Sequence, residues 1–294
     1  MKHQSPLRYP GGKAKVAPFV KALLLQNNLD GGSYIEPYVG GGAVAISLLF
    51  DRIVNDVYIN DKDKSIFAFW HSILFETDRF CKKIMETEIT MHDWYEQREI
   101  QRKKETADIF ELGFSTFFLN RTNRSGILSG GVIGGLAQEG DYKMNARFNK
   151  HELVSRIEAI AKFNGHIHVA NLDAIDFLTH TIPSLTTAPL LIYLDPPYFV
   201  KGKGLYLNHY SVDDHKKIAE YVKGLDDDVS WIMSYDKVEF IENLYGEFRV
   251  SPFELIYSAS NSGKGNEIMI FSNKIEIPSS KIVEYNTTCR ESRK

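Results

Sequence analysis

Pro189-Leu190-Leu191-Ile192-Tyr193-Leu194-Asp195-Pro196-Pro197-Tyr198 is the stretch from which the architecture is read. Its first six residues are apolar throughout, with β-branched and aromatic members, the pattern of a strand buried on both faces of a parallel sheet. Ligands of open α/β sheets bind beyond the carboxyl ends of such strands, so Asp195-Pro196-Pro197-Tyr198 falls where chemistry takes place. Two prolines stop any helix and fix φ at successive positions, holding Asp195 and the Pro196 carbonyl rigidly beside Tyr198. Two acceptors and an aromatic face suit a flat, amino-bearing ring such as adenine, whose amine is a poor nucleophile because its lone pair is delocalised. Read alone, the tetrapeptide is equally a Pro-Pro turn with an Asp cap.

Outward from this strand, short apolar runs alternate with amphipathic helices. Strands are expected at 33–36, 53–60, 166–170, 189–194, 229–234, 248–257 and 266–273, and helices at 14–26, 43–50, 63–75, 151–163 and 212–223. The alternation predicts an α/β fold with a largely parallel sheet. The last two strands flank a Ser/Asn/Gly turn at 258–265, too short for a crossover helix, and so pair antiparallel at the end of the sheet. Between 78 and 150 the alternation lapses into helices over 78–119 and a Gly-rich loop or hairpin over 120–150. The expected division is therefore 1–77 with 151–277 as one domain, 78–150 as an inserted lobe and 278–294 as a tail.

At 294 residues, with 43% hydrophobic and 25% charged residues, the chain can bury a large core and is not of disordered composition. A net charge of -3 does not advertise a nucleic-acid partner, so local charge must carry any such reading. Cys81 and Cys289 form no CxxC or Cys/His spacing, which argues against a disulfide scaffold and a structural zinc. No signal-peptide core opens the chain and no apolar run approaches a membrane span, so a cytoplasmic protein without membrane contact is expected.

A second signal lies at Ser33-Tyr34-Ile35-Glu36-Pro37-Tyr38-Val39-Gly40-Gly41-Gly42-Ala43-Val44-Ala45, a strand, a glycine turn and a helix start. Gly40-x-Gly42-x-x-Ala45 fits the nucleotide-binding G-x-G-x-x-G/A pattern, and Asn60-Asp61 follows the next strand where a carboxylate grips ribose hydroxyls. A nicotinamide dehydrogenase shares these features. Glu36, however, would repel a pyrophosphate and welcome a cationic sulfonium ligand bearing an ammonium group. Tyr9-Pro10-Gly11-Gly12-Lys13 is either an ordinary turn or a site where free N–H groups and a lysine receive the carboxylate of an amino-acid-like ligand.

In this order and spacing, Pro10-Gly11-Gly12-Lys13, Glu36-Pro37-Tyr38-Val39-Gly40-Gly41-Gly42, Asn60-Asp61, Asn120-Arg121 and Asp195-Pro196-Pro197-Tyr198 resemble the Dam-type (class alpha, D12) DNA adenine-N6 methyltransferases over about residues 5–275. The resemblance implies a Rossmann-like, S-adenosylmethionine-dependent sheet with a terminal antiparallel strand and a mainly helical target-recognition domain inserted at 78–150. It implies methyl transfer to N6 of an adenine flipped out of double-stranded DNA at a specific site, with S-adenosylhomocysteine as product and no metal. Tyr9, Gly12 and Lys13 would meet the cofactor's amino-acid end; Glu36, Pro37, Gly40 and Gly42 would line its pocket; Asp61 would bind its ribose and Asp173 its adenine amine. Helix capping is the other reading of Asp173. Asp195, Pro196, Pro197 and Tyr198 would receive the target base, with Asp195 also bordering the cofactor.

The chain departs from the family pattern at Asn120-Arg121-Thr122-Asn123-Arg124-Ser125-Gly126-Ile127-Leu128, where many members carry an aromatic residue and Asn-Gly. From Phe114 to Lys150 five basic residues face two acidic ones, which fits a duplex surface. Asn120, Arg121, Asn123, Arg124, Arg147 and Lys201 are the expected DNA contacts; the alternative is a solvated loop in which Arg121 pairs with the protein's own carboxylates. A monomer acting beside a companion restriction endonuclease is expected. Rival readings are transfer to cytosine N4, RNA adenine or a glutamine amide, a DNA-binding module without turnover, and a nicotinamide oxidoreductase. Asp213-Asp214 reads as helix capping, Asp226-Asp227-Asp228 as a polar turn, and Asn266-Glu267 receives no role.

Overall fold

The structure, a computed structural model, describes residues 5–8, 13–185, 188–200, 210–255 and 265–278, without the side chains of 253–255, 265 and 266. Its centre is a seven-stranded sheet built from β1 (Ser33–Glu36), β2 (Asp56–Asn60), β3 (Ile167–Ala170), β4 (Leu190–Leu194), β5 (Ser230–Asp236), β6 (Arg249–Leu255) and β7 (Gly265–Phe271). The order is β3-β2-β1-β4-β5-β7-β6. β1 to β5 run parallel, and β7 lies antiparallel to both β5 and β6. This is the α/β sheet with an antiparallel end that the alternation implies. Strand order reverses between β1 and β4, so the crevice of the fold opens beyond Glu36 and Leu194.

Every residue of β4 is buried, as its unbroken apolar run requires. Its side chains alternate between two cores. Leu191 and Tyr193 join Tyr34, Ile232, Met269 and Phe271 on one face, and Leu190, Ile192 and Leu194 join Ile35, Met233, Tyr235 and Ile268 on the other. The first face is covered by α1 (Ala17–Gln26), α2 (Ala43–Phe50) and α3 (Lys64–Phe75). The second carries α8 (Ala174–Thr181), α9 (Val212–Lys223) and α10 (Glu239–Leu244). α8, of 8 residues, and α10, of 6, are absent from the sequence reading: unlike α2, which follows a glycine turn, neither has a motif to mark it, and each is too short to show a periodic signal by itself. The apolar run from 53 is longer than its strand: Ile53 and Val54 are buried in the turn before β2.

Between α3 and β3 the chain folds as α4 (Thr77–Glu86), α5 (Met91–Arg102), α6 (Ile109–Thr122) and α7 (Lys150–Ala161). Thr90 opens α5 with a capping box to Asp93, and Asp108 caps α6 by accepting from Phe110 N and Glu111 N. Eleven of the fourteen α6 residues are buried, which makes it a central helix and not a surface one. Phe117 stacks on Phe69 of α3 at 6.2 Å, and Phe80 of α4 packs against Phe110, Phe114 and Phe117. Beyond Thr122 the described backbone makes short 3-10 turns and one isolated bridge, Asn123 with Val132, in place of a full hairpin.

Candidate active site

Strand carboxyl ends bring the acids together. Glu36 ends β1, Asp61 follows β2, Asp195 follows β4 and Asp236 ends β5, while the antiparallel β7 delivers Glu267 to the same edge near its start. Side chains alternate along a strand, so Glu36 shares the face of Tyr34, and Asp195 that of Tyr193, beneath α1. Lys13 reaches this face from the 3-10 turn Lys13–Lys15 that leads into α1.

Lys13 Nζ lies 2.8 Å from Asp195 Oδ1, and the Ser234 hydroxyl donates to the same oxygen at 2.6 Å. Lys13 also donates to the Tyr198 hydroxyl at 2.7 Å and to Ser234 Oγ at 3.3 Å. Tyr198 in turn donates to Glu267 Oε2 at 2.9 Å. Both described bonds to Asp195 fall on Oδ1. Behind Tyr198 the chain is pinned by Asp236, whose two oxygens accept from Phe199 N at 2.9 Å and Val200 N at 2.8 Å. The Phe199 ring stacks on Phe240 at 4.7 Å. The Asp-Pro-Pro-Tyr segment is therefore gripped at both ends. Lys201 and Lys203 lie outside the described residues, as do Tyr9, Pro10, Gly11 and Gly12.

On the other side of β1 the glycine turn forms a narrow cradle. Gly40 is clamped between Asp61, whose Oδ2 accepts from Gly40 N at 3.0 Å, and Trp70, whose indole donates to Gly40 O at 3.0 Å. Gly42 has φ +60, and a Cβ there would lie 2.5 Å from the Trp70 ring. Asn60 fixes the adjoining loops by donating to Pro37 O and Leu172 O, both at 3.0 Å. Burial pushes the Asp61 carboxyl up to about 7, against the N–H groups of Asp63 and Gly40 that favour its ionised form. Glu36 is pushed well above the usual carboxylate range, first by burial and then by neighbouring Asp195. Its Oε2 has no hydrogen-bond partner among the described residues. Asp173 caps α8 by accepting from Ile175 N at 3.1 Å and pairs with Lys62 at 3.0 Å, so the capping reading of this residue is realised.

The expected DNA contacts separate by burial. Asn120 and Asn123 are 2% and 0% exposed. Asn120 exchanges two 2.7 Å bonds with the main chain of Arg8, and Asn123 accepts from the Trp94 indole and donates to Ile127 O and Leu128 O. In this fold they brace the segment, a correction to their sequence assignment: a buried amide whose oxygen and nitrogen are already engaged, by main chain at Asn120 and by the Trp94 indole and two carbonyls at Asn123, has no face left for a base. Arg121 donates to Arg147 O at 2.7 Å and Pro6 O at 3.4 Å, and among the described residues it donates to none of the carboxylates of the alternative reading. Burial, with Arg8 and Arg156 nearby, lowers its guanidinium to about 10. Arg124 and Arg147 remain exposed.

Ser234, Asp236 and Glu267 escaped the sequence reading. The available signal was a polar residue within an apolar strand: Ser234 and Asp236 are 0% and 3% exposed and Glu267 only 1%, where an acid is expensive unless partnered.

The sequence profile of the D12 class N6 adenine-specific DNA methyltransferases matches residues 9–259. The chain belongs to that family, whose members transfer a methyl group from S-adenosylmethionine to DNA adenine. A curated relative, Type II methyltransferase M.MjaIII of Methanocaldococcus jannaschii, is 24% identical over 265 residues, covering 83% of this chain and 88% of its own. Among solved structures, M. capricolum TrmK in complex with S-adenosyl-homocysteine is 9% identical with a TM-score of 0.36, over 86% of this chain and 69% of its own. A conserved hypothetical protein of Streptococcus pyogenes is 13% identical with a TM-score of 0.34, over 84% and 89%. No helix among the described residues is long and apolar enough to cross a membrane.

Proposed function

We propose that the crevice between β1 and β4 holds S-adenosylmethionine and a flipped adenine side by side, with the residues of the Asp195 network carrying the transfer. The fit to the cofactor rests on Glu36: a buried carboxylate oxygen with no partner among the described residues is a place for an ammonium group. Asp61 would take the ribose hydroxyls, Gly40 and Gly42 would let the ligand approach the backbone, and Lys13 would meet the amino-acid end. When bound, S-adenosylmethionine supplies an electrophilic methyl group on a sulfonium.

The observation that carries the reading is the fixed orientation of Asp195, held through one oxygen by Lys13 and Ser234. Its Oδ2 and the Pro196 carbonyl accept the two N6 hydrogens of the adenine, and Tyr198 stacks on the ring. Methyl transfer would form the N6–carbon bond as the carbon–sulfur bond breaks, releasing S-adenosylhomocysteine; Asp195 would stabilise the positive charge on N6 as its proton departs. No covalent enzyme intermediate is required.

Residues 1–77 with 151–277 act as the catalytic part and 78–150 as the recognition part, with exposed Arg124 and Arg147 on the DNA side. By likeness to a Type II methyltransferase, the protein modifies a specific DNA site; a cytoplasmic monomer working beside a companion endonuclease is the setting that goes with this reading. The test is transfer of labelled methyl from S-adenosylmethionine to unmodified duplex DNA, followed by nucleoside analysis. N6-methyladenine is expected, falling about 1,000-fold in D195A with cofactor binding retained. N4-methylcytosine, label on RNA or protein alone, or an active D195A would overturn the proposal.

A further inference from the structure

Asp236 and Glu267 are direct cross-strand partners on antiparallel β5 and β7, so their side chains emerge on one face, and Ser234 lies two residues before Asp236 on that same face. This face handles three successive parts of the Asp-Pro-Pro-Tyr segment: Ser234 holds Asp195, Glu267 holds the Tyr198 hydroxyl, and Asp236 holds the N–H groups of Phe199 and Val200. Of the three contacts, the one to Glu267 dictates a proton's direction. A phenol has a single proton, and an ionised carboxylate only accepts. With that proton donated to Glu267, the phenol oxygen can only accept on its other side, where Lys13 donates to it at 2.7 Å.

Resting on the methyl-transfer reading above, we propose that Glu267 is a positioning residue for the reaction, acting through Tyr198. Its buried carboxylate takes the phenol proton on the side away from Lys13, so the hydroxyl and its ring are held in one orientation. The antiparallel end of the sheet is thereby a template for the base-binding segment. Loss of the carboxylate frees the hydroxyl to turn and lets the ring that should stack on the base drift.

The test compares the parent with E267A, E267Q, Y198F and the double variant Y198F/E267A, measuring kcat, KM for cofactor and DNA, and thermal unfolding. E267A is expected to lose about 100-fold in kcat, the scale of a roughly 1 Å misplacement, with KM for S-adenosylmethionine unchanged. E267Q, whose carbonyl still accepts from the phenol, is expected within about fivefold of the parent, the worth of one altered hydrogen bond. Because Glu267 acts through the hydroxyl, E267A is expected to add no further loss in the Y198F background. Y198F keeps the ring and tests the same bond should E267A fail to fold. Parental kcat in Y198F, or a full multiplicative loss in the double variant, overturns the positioning role alone. A parent that transfers no methyl to DNA overturns the proposed function and this role with it.

Discussion

Asp61 makes cofactor binding depend on pH in a specified direction. Its carboxyl titrates at about 7 because burial outweighs the N–H groups of Asp63 and Gly40. Ribose hydroxyls donate best to the ionised form, so affinity for S-adenosylmethionine is expected to rise as pH increases from about 6 to 8, and D61N to flatten that rise. The stability sign is opposite. A folded pKa above the unfolded value of about 3.9 means the native state retains a proton that the unfolded chain has lost, so this group's contribution falls as pH rises from about 4 through 7. Isothermal titration across that range reads the first effect and denaturant unfolding the second; pH-independent affinity in the parent would remove Asp61 from the ribose site.

At the scale of elements, two glycines set how closely the pieces meet. Gly42 turns the chain into α2 at φ +60 with the Trp70 ring behind it, and Gly113 lets α6 approach α3 so closely that a Cβ would lie 2.4 Å from Ala68 O. Carbonyl oxygen in a packed helix cannot yield as a side chain can. G113A is therefore expected to cost about 1–3 kcal/mol by thermal or denaturant unfolding. G42A is expected to cost a similar 1–3 kcal/mol through strain at positive φ, and also to weaken cofactor binding, whereas G113A leaves binding intact. Equal effects of both on affinity would show that the glycine turn has no local role. The glycine turn could be read from the sequence because G-x-G-x-x-A is a local pattern. Gly113 could not: its partner Ala68 is 45 positions away in the chain, and within α6 alone a glycine merely weakens a helix.

Across the whole molecule, the inserted helices share one core with the face of the sheet that bears the site. Phe80, Phe110, Phe114, Phe117 and Phe118 belong to the same buried cluster as Phe69, Trp70, Tyr34 and Tyr193. Unfolding is expected to be a single transition seen alike by tryptophan fluorescence and far-UV circular dichroism. F117A is expected to lower its free energy by about 3–5 kcal/mol without splitting it; two resolved transitions would make the insertion an independent unit. The sequence by itself determined the parallel sheet, its antiparallel end and the strand-end motifs Glu36, Asp61 and Asp195, because apolar periodicity and Pro or Gly punctuation are written in adjacent residues. Only the tertiary structure decided that Asn120 and Asn123 face inward, that Lys13 meets Asp195, and that Glu267 meets Tyr198. Those outcomes depend on which distant segments pack together: Lys13 and Asp195 are 182 positions apart in sequence and 2.8 Å apart in the fold. No local pattern records such a distance, because it follows from strand order and helix packing over the entire chain.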